Sequence, residues 1–239
     1  MKIALFSDIH ANILALDAFF VDLEERKPDA IYCLGDLVGY HIWPNEVIEA
    51  IKSRRIATLA GNHDIKVTLP FEAKSTSEIT ASTYAYDIIE KRHREYLLSL
   101  PHHIRLSFFI QGTEKQMLMV HASPRSITEY ILPDMEKDYV DAIMVEAKAD
   151  ILCFGHSHKP YHRVIERDGK KKHIINIGSL GKPKDGDIRG CYVLLTVHPD
   201  SSEIEVAFKR VEYDVEKAAE ALIQSPLPNE LADRLRGAY

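Results

Sequence analysis

Two histidines one residue apart, His156 and His158 in GHSH, follow directly on the apolar run ADILCF. Asp8 and His10 stand in the same relation after KIALFS, Asp36 closes AIYCLGD, Asn62 and His63 stand near the end of IATLAGNHD, and His121 closes MLMVH. Each run reads as a short buried strand. Five strand ends therefore deliver aspartate, asparagine or histidine, and in α/β sheets ligands bind beyond the carboxyl ends of strands. The chemistry such a set supports is cation binding. Asp, Asn and His offer mixed oxygen and nitrogen donors without cysteine, a mixture that suits manganese or iron at least as well as zinc. The donors exceed one tetrahedral site and suffice for two ions sharing a carboxylate.

Two-metal sites hold their ions about 3.5–4 Å apart and clamp the attacking and leaving oxygens of a displacement. Two divalent cations outweigh Asp8, Asp36 and a bridging hydroxide by about one positive charge, so the site draws an anion and stabilises charge developing on phosphoryl oxygens. They also lower the pKa of bound water from about 15.7 toward 7, giving a nucleophile at neutral pH.

The elements that must position these groups follow from the pattern. Strands are expected at 2–8, 30–36 and 56–64, with helices at about 13–26 and 44–54 between them. Asn12 is placed to cap the first helix, whose Ile13, Leu16, Phe20 and Leu23 share a face. Pro44 suits the first turn of the second. This alternation predicts a right-handed, mostly parallel start. Residues 65–100 read as a polar insertion with a helix over about 77–98, ended by Pro101, that covers part of one face and helps shape substrate access. A hairpin over 107–121 around Gly112, a helix over about 136–148 and a strand at 150–154 come next. Hairpins over 161–179, turning at Asp-Gly, and 190–211, turning at PDSS, precede a helical tail from Val215 that loosens at SPLP. The expected fold class is α/β: one domain over 1–239, two packed β-sheets, the first mixed and the second largely antiparallel, flanked by helices.

The chain has 239 residues and a net charge of −6. That balance argues against general affinity for nucleic acid or an anionic membrane, so neither is an expected partner. No run of about 18 apolar residues is present, and Asp8 and His10 break a signal-like start. Cys33, Cys153 and Cys191 read as buried reduced thiols, and a cytoplasmic location is expected.

In their order, D-x-H, G-D, G-N-H-D, the lone histidine of VHASP and G-H-S-H resemble the calcineurin-like metallophosphoesterase superfamily from residue 5 to about 180. SDIHAN, GDLVGY, GNHD and VHASP together resemble its small bacterial and archaeal phosphodiesterases. The resemblance implies a four-layer sandwich and two divalent transition-metal ions, manganese, iron, nickel or zinc. It places Asp8, His10 and His158 on one ion and Asn62, His121 and His156 on the other, with Asp36 bridging. His63 faces the phosphate and protonates the leaving oxygen or stabilises the transition state; Asp64 orients His63. His41, where related sequences usually have glycine, Arg125 in HASPR and Ser179 in NIGS are candidate substrate contacts. The expected partner is a small phosphoester, nucleotides included, and an exposed apolar edge on the insertion or last hairpin would support a homodimer. The alternative is a non-catalytic metal-binding scaffold for protein interaction, as in a retromer subunit; the intact ligand set and His63 favour the enzyme. Protein serine/threonine phosphatases carry Asp-Arg after the second motif, where this chain has LVGY. Repair nucleases add a DNA-binding domain for which neither length nor charge leaves room.

Overall fold

A computed structural model describes residues 1–69, 80–167, 169–198, 200 and 203–239. In chain order the elements are β1 (Lys2–Phe6), α1 (Ile13–Arg26), β2 (Ala30–Cys33), α2 (Pro44–Ser53), β3 (Ala57–Thr58), α3 (Asn62–Lys66), α4 (Ala81–Ile88) and α5 (Lys91–Leu98). Then come β4 (His103–Ile110), β5 (Thr113–Val120), α6 (Lys137–Glu146), β6 (Ile151–Phe154), β7 (Tyr161–Arg167), β8 (Lys170–Asn176), β9 (Gly190–Val197), β10 (Ile204–Val211), α7 (Val215–Ile223) and α8 (Glu230–Gly237).

The strands form two five-stranded sheets, ordered β10-β9-β1-β2-β3 and β4-β5-β6-β8-β7. Alternation along β1 explains the layering, because successive side chains face opposite ways. Ile3 and Leu5 point between the sheets, where they meet Met117, Met119, Ile151, Cys153, Val193 and Leu195. Ala4 and Phe6 point outward against Leu16 and Phe19 of α1 and Val47, Ile48 and Ile51 of α2. On the far side, Val140, Ile143 and Met144 of α6 cover Leu118, Leu152 and Phe154. The result is helix, sheet, sheet, helix. Helices α7 and α8 form a smaller apolar cluster with Leu14 and Trp43.

Both sheets are mixed. The second is not largely antiparallel: β5-β6-β8 is parallel at its centre and only the edge pairs β4-β5 and β7-β8 are antiparallel. The chain passes from β5 to β6 through α6, and such a crossover returns a parallel strand. The expected third strand is also shorter. The apolar run IATLAGNHD pairs only at Ala57–Thr58 and is already helical at Asn62, since the Asp64 carboxylate accepts the Gly61 N–H at 2.9 Å and starts a turn.

The helix expected over 77–98 is two, and 77–79 lie outside the described residues. Ile89 and Glu90 leave helical geometry with ψ of 126° and 145°. Asn45 of α2 holds this break: its Nδ2 donates to Ile88 O at 2.9 Å and its Oδ1 accepts Glu90 N at 2.9 Å. Among the described residues no helix is long and apolar enough to cross a membrane.

Truncating Ile151, buried between the sheets, to alanine is expected to cost about 2–5 kcal/mol, whereas Val164→Ala, 47% exposed, should stay within about 0.5 kcal/mol. Urea unfolding followed by circular dichroism measures both.

Candidate metal centre

The carboxyl ends of β1, β2, β5 and β6 and the start of α3 converge at one edge of the sandwich. The chain leaves β1 and β2 through two loops that hydrogen-bond to each other: Asp8 N to Gly35 O at 3.0 Å, His10 N to Asp36 O at 3.0 Å and Ala11 N to Leu37 O at 2.7 Å. Asp8, His10, Asp36, His156 and His158 all have left-handed φ, between 51° and 64°. Such backbone costs of order 1–3 kcal/mol per residue outside glycine and persists only where the surroundings over-determine it. Here it aims five side chains at one point.

Three of the imidazoles are fixed from behind. The Nδ1 of His10 meets Val38 O at 3.0 Å, that of His121 meets Leu34 O at 2.9 Å, and that of His158 meets Lys182 O at 2.5 Å. A carbonyl only accepts, so Nδ1 carries the hydrogen and Nε2 turns its lone pair to the centre. There His10 Nε2 lies 3.1 Å from His158 Nε2, 3.6 Å from Asp36 Oδ2 and 3.7 Å from Asp8 Oδ1. His158 Nε2 is 3.2 Å from Asp8 Oδ1. His121 Nε2 is 3.4 Å from Asp36 Oδ2 and 3.0 Å from Asn62 Oδ1. Asp8 Oδ1 and His156 Nε2 are buried without a hydrogen-bond partner. Donor atoms of Asp8, His10 and His158, of His10, Asp36 and His63, and of Asp8, Asp36 and His121 each lie within 4.8 Å of one another. Buried donors gathered this closely repel unless a cation or a shared proton stands between them, so the set fits divalent ions.

The titration directions report the same crowding. Burial works against ionisation of Asp8 and Asp36, yet His158 beside the first and His121 beside the second hold both carboxyls well below the usual range. Burial lowers His10 and His63, and carries His156 down to about 4. His121 goes the other way, to about 10: burial works against it, but the charge of Asp36 holds a proton on Nε2 that a bound cation would displace.

Two glycines are required for room. A Cβ on Gly61 would lie 2.1 Å from Asp36 Oδ1, and one on Gly155 would lie 2.2 Å from both Asp8 Oδ2 and Ser7 Oγ. Gly155 vacates the space that Asp8 occupies. Asp8 Oδ2 also accepts Ser7 Oγ at 2.5 Å and His156 N at 3.0 Å.

Asp64 does not orient His63. Its fully buried carboxylate accepts the N–H groups of Asp36, Leu37, Val38 and Gly61 at 2.8–3.3 Å, which ties the loop carrying Asp36 to the start of α3. Burial, then the charge of Asp36, raises its pKa to about 7. His63 is half-buried, its N–H donates to Asp36 Oδ1 at 2.8 Å, and its ring stands 5.0 Å from His10 and 4.8 Å from Tyr40.

A cavity of about 240 Å³ opens over the centre, lined in part by Asp36, Asn62, His63, His156 and His158. Its other residues, Tyr40, Lys66, Thr128, Tyr130 and Lys184, escaped the sequence reading. Tyr40 ends the GDLVGY motif and Lys184 follows NIGS closely in GKPK, so position beside a motif was an available signal; Tyr130 and Thr128 carried none. The three expected substrate contacts lie elsewhere. His41 is 2% exposed with Nδ1 on His10 O at 2.8 Å. Ser179 is fully buried and donates to Asp8 O at 2.8 Å. Arg125 forks onto Glu146 at 2.7 and 2.8 Å. Each is occupied in packing or pairing, and Arg125 ties α6 to the loop that carries Thr128 and Tyr130.

Adding a methyl at Gly155 (Gly155→Ala) is expected to abolish metal uptake, read by elemental analysis, because Asp8 must move. Asp64→Asn puts an amide donor against N–H donors and should cost about 1–3 kcal/mol in chemical unfolding.

Comparison with known proteins agrees with this geometry. A sequence model of the calcineurin-like phosphoesterase superfamily domain matches residues 1–200. An uncharacterized protein of Methanocaldococcus jannaschii is 34% identical, over 98% of this chain and 96% of its own. The crystal structure of a metallophosphoesterase from Sphaerobacter thermophilus superposes with a TM-score of 0.80 at 28% identity, covering 100% of this chain and 99% of that one. A hypothetical protein from Pyrococcus horikoshii OT3 shares the fold with a TM-score of 0.80 at 24% identity, covering 98% and 97%. The ordered motifs, the sandwich and the convergent Asp/His cluster lead to one conclusion: the chain belongs to the calcineurin-like phosphoesterase superfamily.

Proposed function

We propose that the protein is a metal-dependent phosphoesterase that hydrolyses a small phosphodiester or phosphomonoester at a dinuclear centre. One observation carries this reading: the Nε2 atoms of His10, His121 and His158, each with Nδ1 committed to a carbonyl, face Asp8 and Asp36 at 3.2–3.7 Å in a buried space. Asp8, His10 and His158 would hold one ion, and Asn62, His121 and His156 the other, with Asp36 between them. Manganese, iron, nickel and zinc all accept such donors. Bound there, the ions supply positive charge to phosphoryl oxygens and an acidified water.

The chain's own groups do the rest. His63 sits at the cavity wall with a pKa lowered by burial, where it donates or stabilises a proton on the leaving oxygen. The His63 N–H keeps Asp36 Oδ1 turned toward α3, which leaves Oδ2 for the centre. A cavity of about 240 Å³ takes the head of a small ester. Buried thiols at Cys33, Cys153 and Cys191 support action in the reducing cytoplasm.

His63→Ala is expected to lower turnover of bis(p-nitrophenyl) phosphate roughly 100- to 10,000-fold with metal content unchanged; equal turnover would remove His63 from the reaction. Chelation with EDTA should abolish turnover and lower the melting temperature, and manganese should restore both. Elemental analysis finding a single ion per chain at saturation would sink the dinuclear assignment.

A further inference from the structure

We propose that the cavity holds a second anion subsite, formed by Lys184 and Lys66 with Lys182 packed on Tyr40, so that the natural substrate is a phosphoester carrying a further phosphoryl group. The inference rests on the phosphoesterase reading and adds the substrate class.

The cavity is lined by groups of two kinds. The Asp/Asn/His donors are enough to engage a single phosphoryl group through bound cations. Lys66 and Lys184 add positive charge, with Tyr40, Thr128 and Tyr130 completing the lining. Neither ammonium has a carboxylate within ion-pair distance among the described residues. Four arginines elsewhere on the surface are paired: Arg125 with Glu146, Arg189 with Asp187, Arg210 with Asp185 and Arg236 with Glu216.

Lys182 is the more unusual group. It is 2% exposed, yet its ammonium has no carboxylate partner among the described residues and lies 4.6 Å over the Tyr40 ring. Lysine is almost never buried unpaired. The fold holds it there by its backbone. Lys182 N donates to Ser179 Oγ at 2.9 Å and Lys182 O accepts His158 Nδ1 at 2.5 Å, while Gly181 N donates to Asp8 O at 3.0 Å and Lys184 N to His158 O at 3.4 Å. One loop therefore orients a candidate metal ligand, carries Lys184 to the cavity and sets Lys182 against the Tyr40 ring that lines it. Asp8 and Asp36 are the carboxylates whose charge acts on Lys184, and both are the carboxylates a cation would claim. With cations bound, the lysines retain uncompensated positive charge beside the reacting group. Arg234, bridged to Glu230, adds to the field at Lys182 and Lys184. An additional phosphoryl oxygen set is the counter-charge these lysines lack.

The second phosphoryl group is either linked directly, as in a diphosphate, or spaced along the ester. Isothermal titration of the manganese-loaded protein, at fixed free manganese, separates these with phenylphosphonate, methylenediphosphonate and propane-1,3-diphosphonate. One diphosphonate should bind at least about tenfold tighter than phenylphosphonate, the effect of one charge-assisted hydrogen bond. The ratio should fall below about threefold in Lys184→Met/Lys66→Met, and in the milder Lys184→Gln if the double variant is unstable. Lys170→Met, on the distant hairpin tip, should leave it unchanged. A ratio near one in the wild type, or one that survives in both lysine variants, overturns the subsite. Turnover of bis(p-nitrophenyl) phosphate is scored separately: its absence with an intact ratio defeats the hydrolase reading alone, and its presence with a flat ratio defeats the subsite alone.

Discussion

Buried lone pairs that face one another are the constraint on which this molecule is organised. Water is excluded around Asp8, His10, Asp36 and His121, all at most 1% exposed, so their mutual repulsion is undiluted. Local folding preference would not assemble such a cluster. It is imposed by the two sheets, whose shared apolar interior fixes where β1, β2, β5 and β6 end. The left-handed turns at the ligand positions are the strain that remains, and the interlocked loops after β1 and β2 hold it.

The supporting contacts explain why the motifs have their particular letters. Glycine precedes Asn62 and His156 because aspartates stand where a Cβ would be. Aspartate follows His63 because four backbone N–H groups converge there and need a compact anionic acceptor. These residues hold the ligands in place from behind, and an exchange at any of them acts on the centre through geometry.

Much of this was legible in the chain. Apolar runs ending in Asp, Asn or His located the strand ends, and their order pointed to the family and the sandwich. What escaped was set by contacts distant in sequence. Nothing local to Ile89 and Glu90 foretells a break that Asn45 makes from another helix. The parallel centre of the second sheet depends on a crossover, which a hairpin-by-hairpin reading overlooks. Ser179 and Arg125 looked available because serine and arginine near a motif often are; a backbone carbonyl and a glutamate take them first. His41 is deeply packed for the same kind of reason. Tyr130, from the loop between β5 and α6, lies 4.4 Å from the His156 ring, an encounter that no spacing in the sequence encodes.

The final helix has a structural consequence of its own. Gly186 N donates to Ala238 O at 3.1 Å, which anchors the 181–186 loop to residues well beyond the stretch matched by the family model. The carbonyl that sets the His158 tautomer belongs to that loop. A chain stopping after β10 would keep every ligand yet lose one tether of the loop whose carbonyl sets the His158 tautomer, so the protonation pattern at the front of the molecule draws part of its support from α8.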